Sequence, residues 1–548
     1  MRRDRLGVRY RARVVRWLCA VAVLAAVALA GCTSQGDTAR PAASSTHVKP
    51  SATFVAPTPS PTAAPTPTPD PAVPFAATPL EPRGHASVML RSAVASLDGL
   101  EDAPRYQIAA TFDPGAMTLR GTERVWVVNR TEVALGEVYF RLYPNAGRLY
   151  GPAQMQLLGV AEGSGKALAW ESGGDPSVVR VPLASPWEPG GVQTLTLEWQ
   201  ATIPVEGEQP WTREQGYGIF REAKGLVVLA EWFPMLAVHE NGDWRLDPVP
   251  EWGDPVYSEI AFYEVWFAAP ESYAVIATGS EVATARTGGT ATYAFRSGPA
   301  CDFFIALSDD LSVTVARVGD VTVRSFAYPG HAASGAEALA AATDALGVFN
   351  TRFGPYPYRE LDVVEAPLIG LLGMEYPGVV LISDALYTPA EKWRLAITVA
   401  HEIAHQWWYG VVGNDILREP WLDEALATFS SGVYVQDVMG DAAFRLQYDQ
   451  WVARYESGKR NGTTGAVTWP VGRFRSSWDY VTTVYYKGAI ALQTLRLEIG
   501  DVAFFGALRR HYEQSRFKVA RDQDLLDLLE QAAGRDLDAF YRQWFAGE

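Results

Sequence analysis

Between about residues 100 and 310 the apolar positions recur every second residue. Tyr106-Gln107-Ile108-Ala109-Ala110-Thr111-Phe112, Arg124-Val125-Trp126-Val127-Val128-Asn129 and Gln193-Thr194-Leu195-Thr196-Leu197-Glu198-Trp199 each put apolar side chains on one face. That alternation is the mark of a half-buried strand, and Gly and Pro clusters separate the runs. The pattern predicts a large antiparallel β domain over 100–310. From about 318 the period changes. A strand pair leads into a helix at about 333–352 and a strand at Leu361–Glu365. Helices follow near 390–410, from Pro420 onward, and near 440–456, 479–499, 501–515, 523–532 and 536–546. No internal repeat is present. The chain therefore reads as an α+β multidomain protein, a β domain followed by a mainly helical domain over 311–548.

The first hundred residues follow neither period. A basic stretch, Arg2 to Arg16, precedes an apolar run from Trp17 to Ala30, too short for a membrane span and right for a signal peptide over 1–31. It ends Leu29-Ala30-Gly31-Cys32, which resembles a bacterial lipobox. Cleavage there would leave Cys32 to carry lipid, so the sequence predicts a lipoprotein anchored to the cell membrane on its extracytoplasmic face. Residues 32–99 then read as a tether without fold, Pro-, Thr- and Ser-rich, with Pro57, Pro59, Pro61, Pro65, Pro67, Pro69 and Pro71 closely spaced. The formal net charge is −15, and −21 once residues 1–31, with seven Arg and one Asp, are removed. So acidic a body excludes nucleic acid as a partner. Of the three cysteines, Cys19 leaves with the signal and Cys32 is lipidated, so only Cys301 remains. Neither an intramolecular disulfide nor a cysteine metal site is expected.

The chemistry is concentrated at His401-Glu402-Ile403-Ala404-His405 and Glu424. Positions i and i+4 share one face of a helix, so His401 and His405 can hold one ion if 390–410 is helical. Thr388-Pro389-Ala390-Glu391 opens that segment like an N-cap with Pro at the first helical position, and Gly410 marks a stop. A catalytic zinc takes three protein ligands and leaves one position to water. Glu424, after eighteen intervening residues, supplies the third ligand from a second helix begun at Pro420. Glu402 points to another azimuth and is placed to act as general base. One Zn2+ per chain is expected.

With these residues in view, the sequence resembles the gluzincin metallopeptidase family of aminopeptidase N and leukotriene-A hydrolase. The likeness rests on His401 to His405 continuing as Gln406-Trp407-Trp408, on Trp421-Leu422-Asp423-Glu424-Ala425, on Gly373-Met374-Glu375-Tyr376, and on Tyr485-Tyr486-Lys487-Gly488. Phe353-Gly354-Pro355-Tyr356-Pro357-Tyr358 is a weaker match. The resemblance implies a β-sandwich or saddle domain covering one side of the cleft of a thermolysin-like catalytic domain. It implies that Glu375, with Gly373 and Met374, forms the exopeptidase motif whose carboxylate binds a substrate's free α-amino group. It also implies that Tyr485 donates its hydroxyl to the oxyanion of the tetrahedral intermediate. Tyr376 replaces a family Asn and Leu372 a common Gly. Asp423 replaces an Asn, and its carboxylate can accept a hydrogen bond from a ligand histidine. Glu231, in Ala230-Glu231-Trp232-Phe233-Pro234, reads as an edge-strand carboxylate, with a second amine contact as the alternative. Many relatives carry a long helical C-terminal domain that would not fit before Glu548, which implies a more open cleft.

These readings converge on a zinc aminopeptidase acting outside the cytoplasm on peptides with a free N-terminus. The rivals are a thermolysin-type zinc endopeptidase and an inactive surface peptide-binding protein.

Overall fold

The structure, a computed structural model, describes residues 75–547 apart from 77 and 208–215. The signal peptide, Cys32 and the Pro-rich run lie outside the described residues. The tether, expected to stay without fold to residue 99, gains structure earlier. Pro82–Val88 and Arg91–Leu97 form short 3-10 turns. They seat Val88, Met89, Ala93 and Leu97 in the interior. The amide of Leu90 donates to the carbonyl of Pro357 at 2.8 Å. Burial of these four apolar side chains outweighs the low-complexity composition upstream.

The alternating segments build the β lobe. Its main sheet runs, in spatial order, Ser280–Thr287, Thr290–Arg296, Phe262–Pro270, Arg105–Asp113, Thr118–Val128, Val192–Thr202 and Gln154–Glu162. Ile108, Val125, Leu195 and Leu197 all face one core from this sheet. Every pairing is antiparallel except Arg105–Asp113 with Phe262–Pro270, whose long connection allows a parallel return. Two four-stranded sheets and the two-stranded hairpin His239–Glu240/Asp243–Trp244 complete the lobe among the described residues.

A five-stranded sheet joins this lobe to the helices. Its order is Ser312–Val318, Val321–Ala327, Glu360–Ala366, Val379–Ser383 and Gly373–Tyr376. Its two faces serve different cores. Val364, Val379 and Leu381 pack into the β lobe, whereas Val363, Val380 and Ile382 pack under the helices. Strands buried on both faces read as continuous apolar runs, as Leu361 to Val364 and Val379 to Ile382 do.

On the helical side lie α1 (Ala332–Arg352), α2 (Lys392–Ala404), α3 (Trp421–Tyr434), α4 (Asp441–Asn461), α5 (Gly488–Ile499), α6 (Asp501–Ser515) and α7 (Asp522–Ala533). The predicted helix over 390–410 is shorter at both ends. Pro389–Glu391 is a 3-10 turn, Thr388 makes no side-chain cap bond, and the helix stops at Ala404. Tyr409 takes φ +125°, which no helix accommodates, and turns the chain toward the short strand Val412–Asn414. The predicted helices near 479–499 and 536–546 are interrupted by π turns at Val481–Lys487 and Arg542–Ala546.

Candidate metal centre

His401 lies in the last turn of α2 and His405 is the residue that caps it, so their imidazoles stand one turn apart on one face. Their Nε2 atoms are 3.2 Å from each other. Glu424, in the first turn of α3, brings Oε2 to 3.2 Å from His401 Nε2 and 3.6 Å from His405 Nε2. A point equidistant from these three atoms lies about 2 Å from each, the zinc–ligand distance for imidazole and carboxylate. The tautomer of His405 follows from its partners. Nδ1 has two acceptors, Asp423 Oδ1 at 2.5 Å and the Trp408 carbonyl at 3.3 Å. The proton therefore sits on Nδ1, and the Nε2 lone pair faces His401 and Glu424. Glu375, His405 and Asp423 form a second close set, but its imidazole atom is that same protonated Nδ1.

The electrostatics show what this donor set is missing. Burial pushes Glu402 up to about 8 and Glu375 well above the usual carboxylate range. Burial would lower His405, but the carboxylates of Glu375 and Asp423 outweigh it and raise it well above its ordinary value. Burial would raise Glu424, yet its hydrogen bond with His401 and the charge of His405 hold it low. Four buried carboxylates surround two imidazoles. Lone pairs aimed at one point, amid acidic groups whose ionised forms have no cation to face, fit a divalent cation, and the N2O set fits zinc.

Glu402 projects from α2 toward the edge strand Gly373–Tyr376. A Cβ built on Gly373 would come within 2.2 Å of Glu402 Oε1, so only glycine permits this approach. Met374, next along that strand, is buried against the β lobe. Glu375 is 94% buried, and its nearest ionic neighbour is His405 Nδ1 at 3.9 Å. Tyr485 rides on the π turn. Its ring lies parallel to His401, centroids 5.9 Å apart, and its hydroxyl donates to Glu424 Oε1. Burial keeps that hydroxyl protonated well past its ordinary range.

Glu231 is not the edge-strand carboxylate its sequence context favoured. It sits just past the strand Leu226–Leu229 with φ +45°, fully buried, and accepts a hydrogen bond from the Tyr150 hydroxyl at 2.8 Å. With Asp254, Glu375 and Tyr376 it lines a small pocket that Ile219, Val256, Met374 and Ile416 also line. Asp254 carries no sequence signal of a site, because Trp252-Gly253-Asp254-Pro255 has the composition of an ordinary turn.

The comparisons agree with this geometry. Residues 337–544 match the Peptidase family M1 domain. The aminopeptidase N of Streptomyces lividans is 28% identical over 200 residues, which are 34% of this chain and 23% of that protein. The aminopeptidase N of Lactococcus lactis is 27% identical over 175 residues, 31% of this chain and 20% of that one. The chain thus spans about a quarter of the length of these relatives. The M1 zinc metallopeptidase of Deinococcus radiodurans has the same fold. Its crystal structure superposes with a TM-score of 0.59 at 22% identity, covering 81% of this chain and 94% of that one. The helical half carrying the metal centre thus matches the Peptidase family M1 domain and is similar to aminopeptidase N proteins over that span.

Proposed function

We propose that the protein is a zinc aminopeptidase that removes N-terminal residues from peptides. The observation that carries this reading is the joining of two sites. A three-ligand triangle, His401, His405 and Glu424, stands beside an unbonded buried carboxylate, Glu375, with the base Glu402 lying along Gly373 on the same strand.

Zinc held by His401, His405 and Glu424 would acidify a water and polarise the scissile carbonyl. Glu402 takes the proton of the attacking water and returns it to the leaving amine. A carboxylate raised by burial is suited to that exchange near neutral pH. Asp423 holds the His405 proton on Nδ1 and so keeps Nε2 a donor of electrons. Tyr485 is protonated, and its hydroxyl, which donates to Glu424 Oε1 in the structure, would turn to developing negative charge beside the metal. Glu375 binds the free ammonium and fixes cleavage at the first peptide bond.

Zinc content and hydrolysis of an aminoacyl-arylamide test the assignment together. Glu402→Gln is expected to retain about one zinc per chain while losing at least about a thousandfold in kcat. A chelator should abolish wild-type turnover, and added zinc should restore it. Unaltered turnover in Glu402→Gln contradicts the base assignment. Cleavage of N-acetylated peptides as fast as free ones supports an endopeptidase, and zinc binding without any hydrolysis supports a binding protein.

The proposal extends to location. A basic stretch followed by an apolar run ending Leu29-Ala30-Gly31-Cys32 supports a lipid-anchored, extracytoplasmic enzyme with Cys32 as the lipidated residue. Cys32→Ser is expected to stop incorporation of labelled fatty acid and release the protein from the membrane fraction. Undiminished labelling would refute it.

A further inference from the structure

Among the described residues, every sheet edge but one is broken or short. The outer strands of the main β sheet, Ser280–Thr287 and Gln154–Glu162, each carry a break in register, between Glu281 and Ala283 and between Leu157 and Gly159. The remaining edges are strands of four residues or fewer, apart from Ser312–Val318. That strand pairs with Val321–Ala327 in unbroken register over all seven residues, and no strand lies on its other side. Sheet edges are commonly guarded by proline, lysine, an inward charge or a bulge. Ser-Val-Thr-Val-Ala-Arg-Val has none of these, and Arg317 is its only charge. Val313 and Val315 are 50% and 58% exposed. They lie opposite Phe326 and Arg324, whose guanidinium sits over the Phe326 ring at 5.9 Å. An apolar strip therefore runs out to this edge and stops in solvent.

We propose that the edge pairs with the same edge of a second copy of this chain, antiparallel about Thr314, so that two sheets of five strands become one of ten. Pairing about a residue keeps each face of the sheet continuous, because side chains alternate with a period of two. Thr314 then faces the partner's Thr314. Val313 faces the partner's Val315, and Val315 the partner's Val313, so four valines meet between the two Phe326 rings. Cross-strand pairs of this kind are the unit of sheet stabilisation. Charge also favours a like copy. Leu311 to Ala316 carries none, so two chains of net charge −15 meet on a neutral strip. At each end of the ladder Arg317 comes opposite the partner's Leu311, which follows the acidic pair Asp309-Asp310. Arg317, Asp309 and Asp310 are exposed, and among the described residues none of them forms an ion pair. The contact is isologous and closes on itself, so it ends at a dimer. The sheet's opposite edge, Gly373–Tyr376, belongs to the metal centre, so both centres stay free at the two ends of the joined sheet.

Sedimentation of the purified full chain over a dilution series is expected to show a reversible monomer–dimer equilibrium. A monomer throughout overturns the inference. Thr314→Lys and Thr314→Glu each place like charges face to face and should weaken self-association by about fivefold or more, with unchanged circular dichroism. Mixed in equal amounts, the two variants should associate at least as tightly as the wild type. Dimers that ignore both substitutions, or a mixture that stays monomeric, overturn the pairing. Oxidative cross-linking tests the register. Thr314→Cys should give a disulfide-linked dimer, because residues directly opposite in an antiparallel pair have Cα atoms within bridging distance. Ser312→Cys should give no more than the wild type, since its two sulfurs would stand about 13 Å apart. Equal cross-linking at the two positions overturns the register.

Discussion

Asp423 and Glu123 are both fully buried carboxylates with opposite surroundings. Asp423 spends one oxygen on His405 Nδ1 at 2.5 Å, so its burial fixes a ligand's tautomer. Glu123 lies in the strand Thr118–Val128 opposite Ile108 and Leu197, and neither of its oxygens has a partner. Burial therefore raises Glu123 well above its ordinary value of 4.5. The folded protein keeps a proton there that the unfolded chain releases above that pH. Stability from this group is thus complete below about 4.5 and is lost as pH rises toward the folded value, by up to about 1.4 kcal/mol per unit. Glu123→Gln cannot lose the proton. It is expected to match the wild type at pH 4.5 and exceed it at pH 7, measured as urea midpoints. Equal midpoints at pH 7 would show that Glu123 is not kept protonated.

The motif glycines and tryptophans acquire physical reasons in the elements that carry them. Trp407 Nε1 donates to the Gly354 carbonyl at 2.9 Å, and Trp408 Nε1 to Ser430 Oγ on α3 at 3.1 Å. Gln406 bonds both the Tyr376 carbonyl and the Gly378 amide, at 3.0 and 2.8 Å, clamping the edge strand to α2. Gly488, at the end of the π turn, lets α5 approach α3 so closely that a Cβ there would lie 2.5 Å from the Cβ of Ala425. Ala425 follows the ligand Glu424. Gly488→Val should therefore push α3 away, costing about 1–3 kcal/mol of stability and weakening zinc binding, read by competition with a chromophoric chelator. Zinc affinity equal to the wild type would show that α3 is positioned without this contact. The ligand set was legible because i, i+4 spacing on a helix is a local property, and the β lobe because alternation is local too. The π turn under Tyr485, the end of α2 at Ala404 and the cavity carboxylates were not. They depend on packing between segments far apart in sequence, and Asp254 carries no local signal beyond that of a turn.

The β lobe also governs the loop between the two ligand helices. Arg245, just after the hairpin strand Asp243–Trp244, reaches Asp415 Oδ2 at 2.7 Å and Asp247 Oδ2 at 2.9 Å and pairs with Glu240. Its guanidinium lies over the Tyr257 ring at 4.9 Å. Asp415 is fully buried between α2 and α3, and its other oxygen accepts from the amides of Leu417 and Arg418, both at 3.2 Å. Arg521, which precedes α7, also pairs with Glu240. One cluster of charges centred on buried Arg245 and Asp415 thus ties the β lobe, the interhelix loop and α7 together, and Ile416 of that loop lines the pocket beside Glu375. A buried pair often contributes little over an apolar replacement, but removing one member strands the other, at about 3–5 kcal/mol. Arg245→Met should lower stability by about that amount, and Asp415→Asn in the same chain should recover part of it, since no charge is then left uncompensated. A double-mutant cycle in urea is expected to give a coupling of at least about 1 kcal/mol. Additive effects would mean that Asp415 is held by its own loop's amides. In that case the β lobe would place Glu231 and Asp254 in the pocket beside Glu375 without setting the spacing of the metal's two helices.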